Sequence, residues 1–197
     1  MRTIAPGQEL DYNFTLHRAG IWLYHCSTAP MSAHIAAGMF GAVIVPPHDL
    51  PRADREFYLV QSETYLSEHN EAEVNTAKIA NETPDLTMFN GHANQYVFEP
   101  LKARVGERVR IWVLAAGPSR GCSFHVVGTQ FDTVFKEGAY TLKRGNPEGG
   151  GCQALDLASA QGGFVEMVFE EPGRYTFVNH SFVEMERGAK GFIEVTT

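Results

Sequence analysis

Between Tyr24 and Met39 the chain reads YHCSTAPMSAHIAAGM, which places His25, Cys26, His34 and Met39 within 15 residues. Cys26 and His34 are spaced C-x7-H, and His34 and Met39 are spaced H-x4-M. A thiolate, an imidazole and a thioether on one short loop are the donor types of a blue, electron-transfer copper site. The soft thiolate suits copper, a long axial methionine tunes the potential, and the usual second imidazole comes from an earlier strand. On an extended chain the neighbours His25 and Cys26 point to opposite sides. His25 is therefore free to ligate a second metal, and the Cys–His peptide is a short covalent path for electrons between the two.

Each residue has an ordinary reading when taken alone. A methionine beside a glycine usually packs in a core, and a buried cysteine is often a small hydrophobe. A single histidine is commonly structural. The joint spacing of four soft or borderline donors favours a metal. Zinc fits less well, because its sites favour closely spaced Cys and His pairs and seldom use methionine.

The elements that must position this loop are strands. Pro6-Gly7 marks a turn. Leu10, Tyr12, Phe14 and Leu16 alternate and predict a strand over 10–16. A second strand is expected over 21–26, leading into the metal loop, and a third over 41–45, stopped by Pro46-Pro47. Residues 48–56 are polar and read as a linker. Further strands are expected over 57–63, 88–91, 96–100, 108–114, 123–127, 131–135, 164–169, 175–178 and 191–195. Weak helical character is expected over 71–80, and 143–152 (KRGNPEGGGC) reads as a loop. Many short strands with Gly/Pro turns predict an all-β fold of the sandwich type.

Composition sets the outer limits. A chain of 197 residues with 44% apolar content suits one globular domain or a little more. A formal charge of −7 argues against a nucleic-acid partner. No apolar run reaches the roughly 18–20 residues of a membrane span, and the first residues show no apolar signal segment. With Cys26 on a metal, Cys122 and Cys152 remain either as a bonded pair or as two free thiols.

The sequence also echoes itself. GQELDYNFTLHRAGIWLYHC followed by GMFGAVIV parallels GGFVEMVFEEPGRYTFVNHS followed by GAKGFIEV. On this alignment Ser181 stands where Cys26 stands, so the second copy lacks the thiolate but keeps His180. About 110 residues of strands precede the second copy and none precede the first. The first unit is therefore expected to be truncated at its N-terminus, because three strands are too few to bury a sandwich core.

The motifs YHCSTAP-MSAHIAAGMFGAVIV, EFYLVQSETY, FNGHANQY, VGERVRIWV, CSFHVVGTQFDTVFKEG and FVNHSFVEMERGAKGFIEV, in this order, resemble those of copper-containing nitrite reductases. The resemblance runs over essentially the whole chain and implies two cupredoxin-like Greek-key β-sandwich domains. The first is incomplete (1–47), 48–56 is a linker, and 57–197 is the second. It implies that Cys26, His34 and Met39 are type 1 copper ligands and that His25 is a ligand of type 2 copper. It makes His180 a type 2 ligand to a neighbouring subunit, His125 the catalytic histidine, and Val127 the apolar residue shaping the substrate pocket. It implies nitrite as substrate, a small redox-protein donor, a homotrimer and an extracytoplasmic location. The family's remaining type 1 His, type 2 His and catalytic Asp are not found here.

Two other functions are weighed. A two-domain laccase needs His-x-His pairs, and none of the eight histidines forms one; Cys26 is followed by Ser27. A non-enzymatic electron-transfer cupredoxin would use the Cys26 loop alone. His17, His48, His69 and His92 read as surface or loop residues. The acidic run 68–73 reads as a solvated face that could also meet a basic donor.

Overall fold

The computed structural model describes residues 4–68 and 73–197. The chain enters through a hairpin: β1 (Gly20–His25), a short helix α1 (Met31–Ala36) and β2 (Phe40–Val45), paired antiparallel from Gly20↔Val45 to His25↔Phe40. The remaining elements are β3 (Arg55–Thr64), α2 (Thr76–Ala80), β4 (Leu86–Phe89), α3 (Gln95–Phe98), β5 (Leu101–Arg104), β6 (Arg108–Gly117), β7 (Cys122–Val126), β8 (Thr133–Lys136), β9 (Ala139–Leu142), β10 (Ala154–Leu157), β11 (Gly162–Val168), β12 (Gly173–Asn179), α4 (Phe182–Glu186) and β13 (Lys190–Thr196).

These later strands form two sheets, ordered β4-β3-β6-β11-β8-β9 and β10-β7-β12-β13-β5. The β3–β6 and β13–β5 pairs are parallel and the others antiparallel. Strand alternation sends Val109, Ile111, Val113, Val165 and Met167 of the larger sheet inward, against Phe124, Val126, Phe177 and Ile193 of the smaller one. The fold is all-β, as the short-strand pattern implies.

The outward face of β6 and β11 is apolar as well. Trp112, Leu114 and Phe164 join Phe135, and Ile21 of β1 closes over them, with Leu23, Ala42 and Ile44 alongside. The Phe135 and Phe164 rings stack at 5.1 Å, and Trp112 lies 4.7 Å from Phe164. Each such ring pair contributes about 0.5–1.5 kcal/mol beyond its buried area. A Cβ at Gly162 would overlap Ile21, so this close approach of hairpin and sheet requires glycine there.

Beside the apolar patch lies an ion network. Arg110, 4% exposed at its side chain, donates to Glu166, which is 7% exposed, and to Glu56. It also donates to the Pro51 carbonyl, which fastens 48–56 to the sheet. Arg108 makes a bidentate pair with Asp132 at 2.8 and 2.9 Å and reaches Glu166 at 3.3 Å. The expected linker over 48–56 is therefore anchored, and its last two residues, Arg55 and Glu56, already belong to β3.

Several elements differ from expectation. Residues 10–16 form no strand: they have no ladder partner among the described residues, and Tyr12, Phe14 and Leu16 stay exposed. Alternation selects a face, but a strand also needs a neighbour for its backbone groups. Residues 96–100 are not a strand either, because Asn94 adopts a left-handed conformation (φ 58°) and starts α3. The helix expected over 71–80 is confined to Thr76–Ala80, where the Asn75 side chain accepts from Lys78 N at 3.0 Å; residues 69–72, including His69, lie outside the described residues. Strand pairing in the 131–135 segment begins at Thr133, Phe131 being held only by a bridge to Cys152. The four-residue strands β9 and β10 and the loop helices α1 and α4 carry too little pattern to be read in advance.

Replacing Glu166 by Ala leaves the buried Arg110 guanidinium, and the partly buried Arg108 guanidinium beside it, short of a partner. Loss of one member of such a network costs about 3–5 kcal/mol. Chemical denaturation of Glu166→Ala is expected to show that loss, and an unchanged midpoint would mean that the network carries no stability.

Candidate metal centre

The first hairpin ends on its donors. Beyond the last paired residues, Cys26 N donates to Met39 O at 3.0 Å, so the ladder itself sets these two residues side by side. The loop between them folds into α1, whose Ala33 and Ala36 are buried against Tyr65 and Ile79. That packing holds His34, and Met39 N returns to His34 O at 3.0 Å. The result is a Cys26 Sγ to His34 Nδ1 distance of 3.3 Å. The Met39 side chain is half exposed at the loop mouth.

The thiol is prepared for ligation. The Thr28 backbone N–H at 3.5 Å is the largest cause lowering the Cys26 thiol to about 7, followed by the Thr28 side chain and His34. Thiolate is the ligating and nucleophilic form. In zinc sites nitrogen lies about 2.0 Å and sulfur about 2.3 Å from the metal. A near-tetrahedral angle then separates the two donors by roughly 3.5 Å. The observed 3.3 Å fits one ion shared by Cys26 and His34, and thiolate with thioether selects copper.

His25 faces away from Cys26. Ile21 and Leu23 share its side of β1 and pack on the larger sheet, whereas His25, at the strand end, is exposed. Its Nδ1 lies 2.8 Å from the Cys26 carbonyl. A carbonyl only accepts, so Nδ1 carries the proton and Nε2 keeps its lone pair for a metal.

A second pair of imidazoles stands elsewhere. Phe124 and Val126 of β7 point into the core, so His125 points out of the smaller sheet. Its Nδ1 donates to the Gln153 carbonyl, which leaves Nε2 free by the same logic. His180, just past β12, is exposed; its ring meets the His125 ring edge-on at 5.2 Å and stacks on Phe182 at 4.6 Å. Val127, two residues beyond His125 and on the same face, is half exposed.

The seven residues expected to act thus fall into two sets. Cys26, His34 and Met39, with His25 on the reverse side, sit on the hairpin outside the larger sheet. His125, His180 and Val127 sit outside the smaller one. The structure does not bring the sets together within the chain. Among the described residues no three His, Cys, Asp or Glu side chains converge. The first set is two such groups plus a thioether, and the second is two imidazoles.

The remaining residues are quieter. His17, His48 and His92 are exposed, with His48 on Asp49 at 2.9 Å. Glu68 and Glu73 are exposed, and 69–72 between them lie outside the described residues. The three cysteines are free. Cys122 is opposite Leu157, five residues from Cys152, so the two stand on the order of 15 Å apart at about 3.3 Å per residue. A disulfide needs Cα atoms within about 7 Å.

The internal echo is real, but its register differs from the one read above. Hydrogen bonds pair Cys26 N with Met39 O and Asn179 N with Ala189 O, both at 3.0 Å. Met39 N returns to His34 O as Ala189 N returns to Glu184 O. Asn179, Glu184 and Ala189 therefore occupy the places of Cys26, His34 and Met39. The second loop is three residues shorter, which moves Ser181 and His180 out of the positions expected of them. Gly38 and Gly188, which follow the two helices, are the sequence signal that aligns the copies in this way.

Comparison with known proteins gives the same direction. Residues 1–49 match the family model described as multicopper oxidase. A copper-containing nitrite reductase of Neisseria gonorrhoeae is 35% identical over 198 residues, 97% of this chain and 49% of that protein. The copper nitrite reductase structure from Nitrosomonas europaea superposes with a TM-score of 0.84 at 31% identity, covering 98% of this chain and 68% of that one. The copper-containing nitrite reductase structure from Thermus scotoductus SA-01 gives 0.79 at 29% identity, covering 93% and 43%. The chain spans about half the length of the curated relatives it matches.

Two of the thiols should separate in the metal-free protein. Alkylation of Cys26 is expected to rise through about pH 7 as its thiolate forms. Cys122, whose thiol burial pushes up, should stay unreactive until the protein unfolds. Mass spectrometry of labelled peptides reads both; equal labelling of Cys26 and Cys122 at neutral pH contradicts the loop geometry.

Proposed function

The chain belongs to the copper-containing nitrite reductase family, and from that membership we propose that it serves the one-electron reduction of nitrite, NO2⁻ + 2H⁺ + e⁻ → NO + H2O. The observation that carries this reading is the convergence of Cys26 Sγ and His34 Nδ1, 3.3 Å apart on a loop that also holds Met39. In this reading residues 1–47 belong to one copper-binding domain, 48–56 connect, and 57–197 form a second domain.

Bound copper supplies one-electron redox chemistry at a type 1 site and Lewis acidity toward nitrite oxygen at a type 2 site. Cys26, His34 and Met39 would hold the type 1 ion, and the lowered thiol pKa keeps the thiolate available. His25 offers Nε2 to the type 2 ion. Because His25 and Cys26 are adjacent and face opposite ways, their shared peptide would link the two sites covalently if both held copper.

His125 serves as the proton-handling residue. Fixed through Nδ1 by a backbone carbonyl, its Nε2 can take a proton and hand it to nitrite oxygen. Val127 beside it forms an apolar wall of the pocket. His180 is exposed beside His125 outside the smaller sheet, whereas His25 lies on the hairpin outside the larger one, and His180 would accordingly ligate the type 2 ion of a neighbouring subunit. That relation requires an oligomer, and we read it as a homotrimer. The donor is a small redox protein that meets the exposed Tyr24, Met31 and Met39 around the type 1 loop. The working location is extracytoplasmic. Among the described residues no helix is long and apolar enough to cross a membrane.

The copper-loaded enzyme should show an intense visible thiolate-to-copper band that Cys26→Ala removes. His125→Ala should keep that band and lower nitric oxide production by about 10²–10⁴-fold, the usual range for a lost acid–base group. A band that survives Cys26→Ala would sink the type 1 assignment.

A further inference from the structure

We infer that Asn179 is the residue that positions His180 for metal binding; this rests on the reading of His180 as a type 2 ligand. Asn179 is fully buried, immediately before a histidine that is exposed. A carboxamide can donate two hydrogen bonds and accept two, and here all four are made. Oδ1 accepts from Ser123 N at 3.1 Å and from Ser181 N at 3.0 Å. Nδ2 donates to Gln61 Oε1 at 2.9 Å and to Gly121 O at 3.2 Å.

These bonds enclose His180. Its own N–H donates to Ser123 O at 2.7 Å, while the next N–H, of Ser181, is taken by Asn179. The His180 backbone is therefore fixed on both sides, and its ring, which meets only the side chains of His125 and Phe182 among the ring contacts, takes its direction from that backbone. Gln61 anchors the arrangement to the other sheet. It is fully buried at an irregularity in β3, and its Nε2 also donates to Gly121 O at 2.9 Å. His180 is thus tied through one amide to both layers of the sandwich.

The paired hairpins explain why the amide stands at this place. In the first hairpin the corresponding residue is Cys26, which faces His34 across its loop. In the second hairpin Asn179 closes the loop with hydrogen bonds instead, and the metal-binding task passes to the next residue. An outer group that orients a ligand is typically worth 10–100-fold in metal affinity.

The test uses the copper-loaded enzyme and its Asn179→Ala, Gln61→Met, His180→Ala and Val195→Ala variants. Val195 packs at the far end of β13 and serves as a control for general destabilisation. Copper(II) titration and electron paramagnetic resonance read the non-blue copper, and the visible band reads the type 1 site. His180→Ala should lose the non-blue copper. Asn179→Ala should keep the visible band and bind non-blue copper about 10–100-fold more weakly, with altered hyperfine splitting. Gln61→Met should shift affinity in the same direction by less, and it carries the test if Asn179→Ala does not fold. Val195→Ala should lower Tm and leave copper affinity unchanged. Wild-type affinity in both Asn179→Ala and Gln61→Met, with copper lost in His180→Ala, overturns the positioning role and leaves the ligand reading intact. An equal loss in Val195→Ala also overturns it. Copper retained in His180→Ala removes the ligand reading and this inference with it.

Discussion

The larger sheet is apolar on both faces, and this constraint governs the placement of everything that could do chemistry. One face is satisfied by the smaller sheet. The other carries Trp112, Leu114, Phe135 and Phe164, which water would otherwise cover. Fully burying side chains of this size contributes about 1.5–3 kcal/mol each, so the β1–β2 hairpin is held where Ile21 completes the cluster. The Cys26 loop is carried to the end of that hairpin. The same stack leaves His25 at the end of the hairpin, on the face turned toward the larger sheet, and His125 on the outer face of the smaller sheet, so the two imidazoles stand on different layers.

The two hairpins show one backbone solution with two chemical fillings. Both run strand, short helix, glycine and strand, with matching hydrogen bonds at the mouth. In the first, the loop interior holds a thiol facing an imidazole at 3.3 Å, with the Thr28 N–H donating to the sulfur. In the second, the equivalent places hold Asn179, with every hydrogen bond made, and the buried carboxylate of Glu184. Thr87 and Arg187 donate to Glu184, the latter at 3.1 Å. A buried charge needs such partners. A loop whose polar groups are tied up by the surrounding protein has no reason to take up a metal, and one that gathers a thiol, an imidazole and a thioether does.

Much of this was legible in the chain itself. The near-continuous apolar run from Val109 to Leu114 marks a strand buried on both faces and the alternation from Cys122 to Val126 a half-buried one, and the spacing of Cys26, His34 and Met39 survives folding because a hairpin and a helix lock it. What was not legible depended on partners distant in sequence. Tyr12, Phe14 and Leu16 alternate as a strand does, yet pairing is a property of two segments. Asn94 turns 96–100 into a helix through one left-handed residue. The register of the second hairpin is hidden in the sequence because His25 and His180 invite alignment by chemistry, whereas the backbone aligns Gly38 with Gly188. Asn179 was passed over for the same reason: its importance lies in contacts with Gln61 and Ser123, 118 and 56 positions away.

Two of the proposed site histidines share a further device. His25 and His125 are each at least partly exposed, and each donates Nδ1 to a backbone carbonyl, of Cys26 and of Gln153. A carbonyl fixes the tautomer without adding charge, so Nε2 is presented as a lone pair in a known direction. The strand ladder fixes the backbone that carries each ring, and the accepting carbonyl belongs to a neighbouring or paired segment of the same sheet. Exposure and rigidity ordinarily oppose each other, since a surface side chain loses rotamer freedom only when something holds it. Placing each imidazole on or at the end of a strand, with one nitrogen tied to the main chain, resolves that conflict. It leaves the ring reachable by a metal, a substrate or a second subunit, with little further ordering required when one arrives.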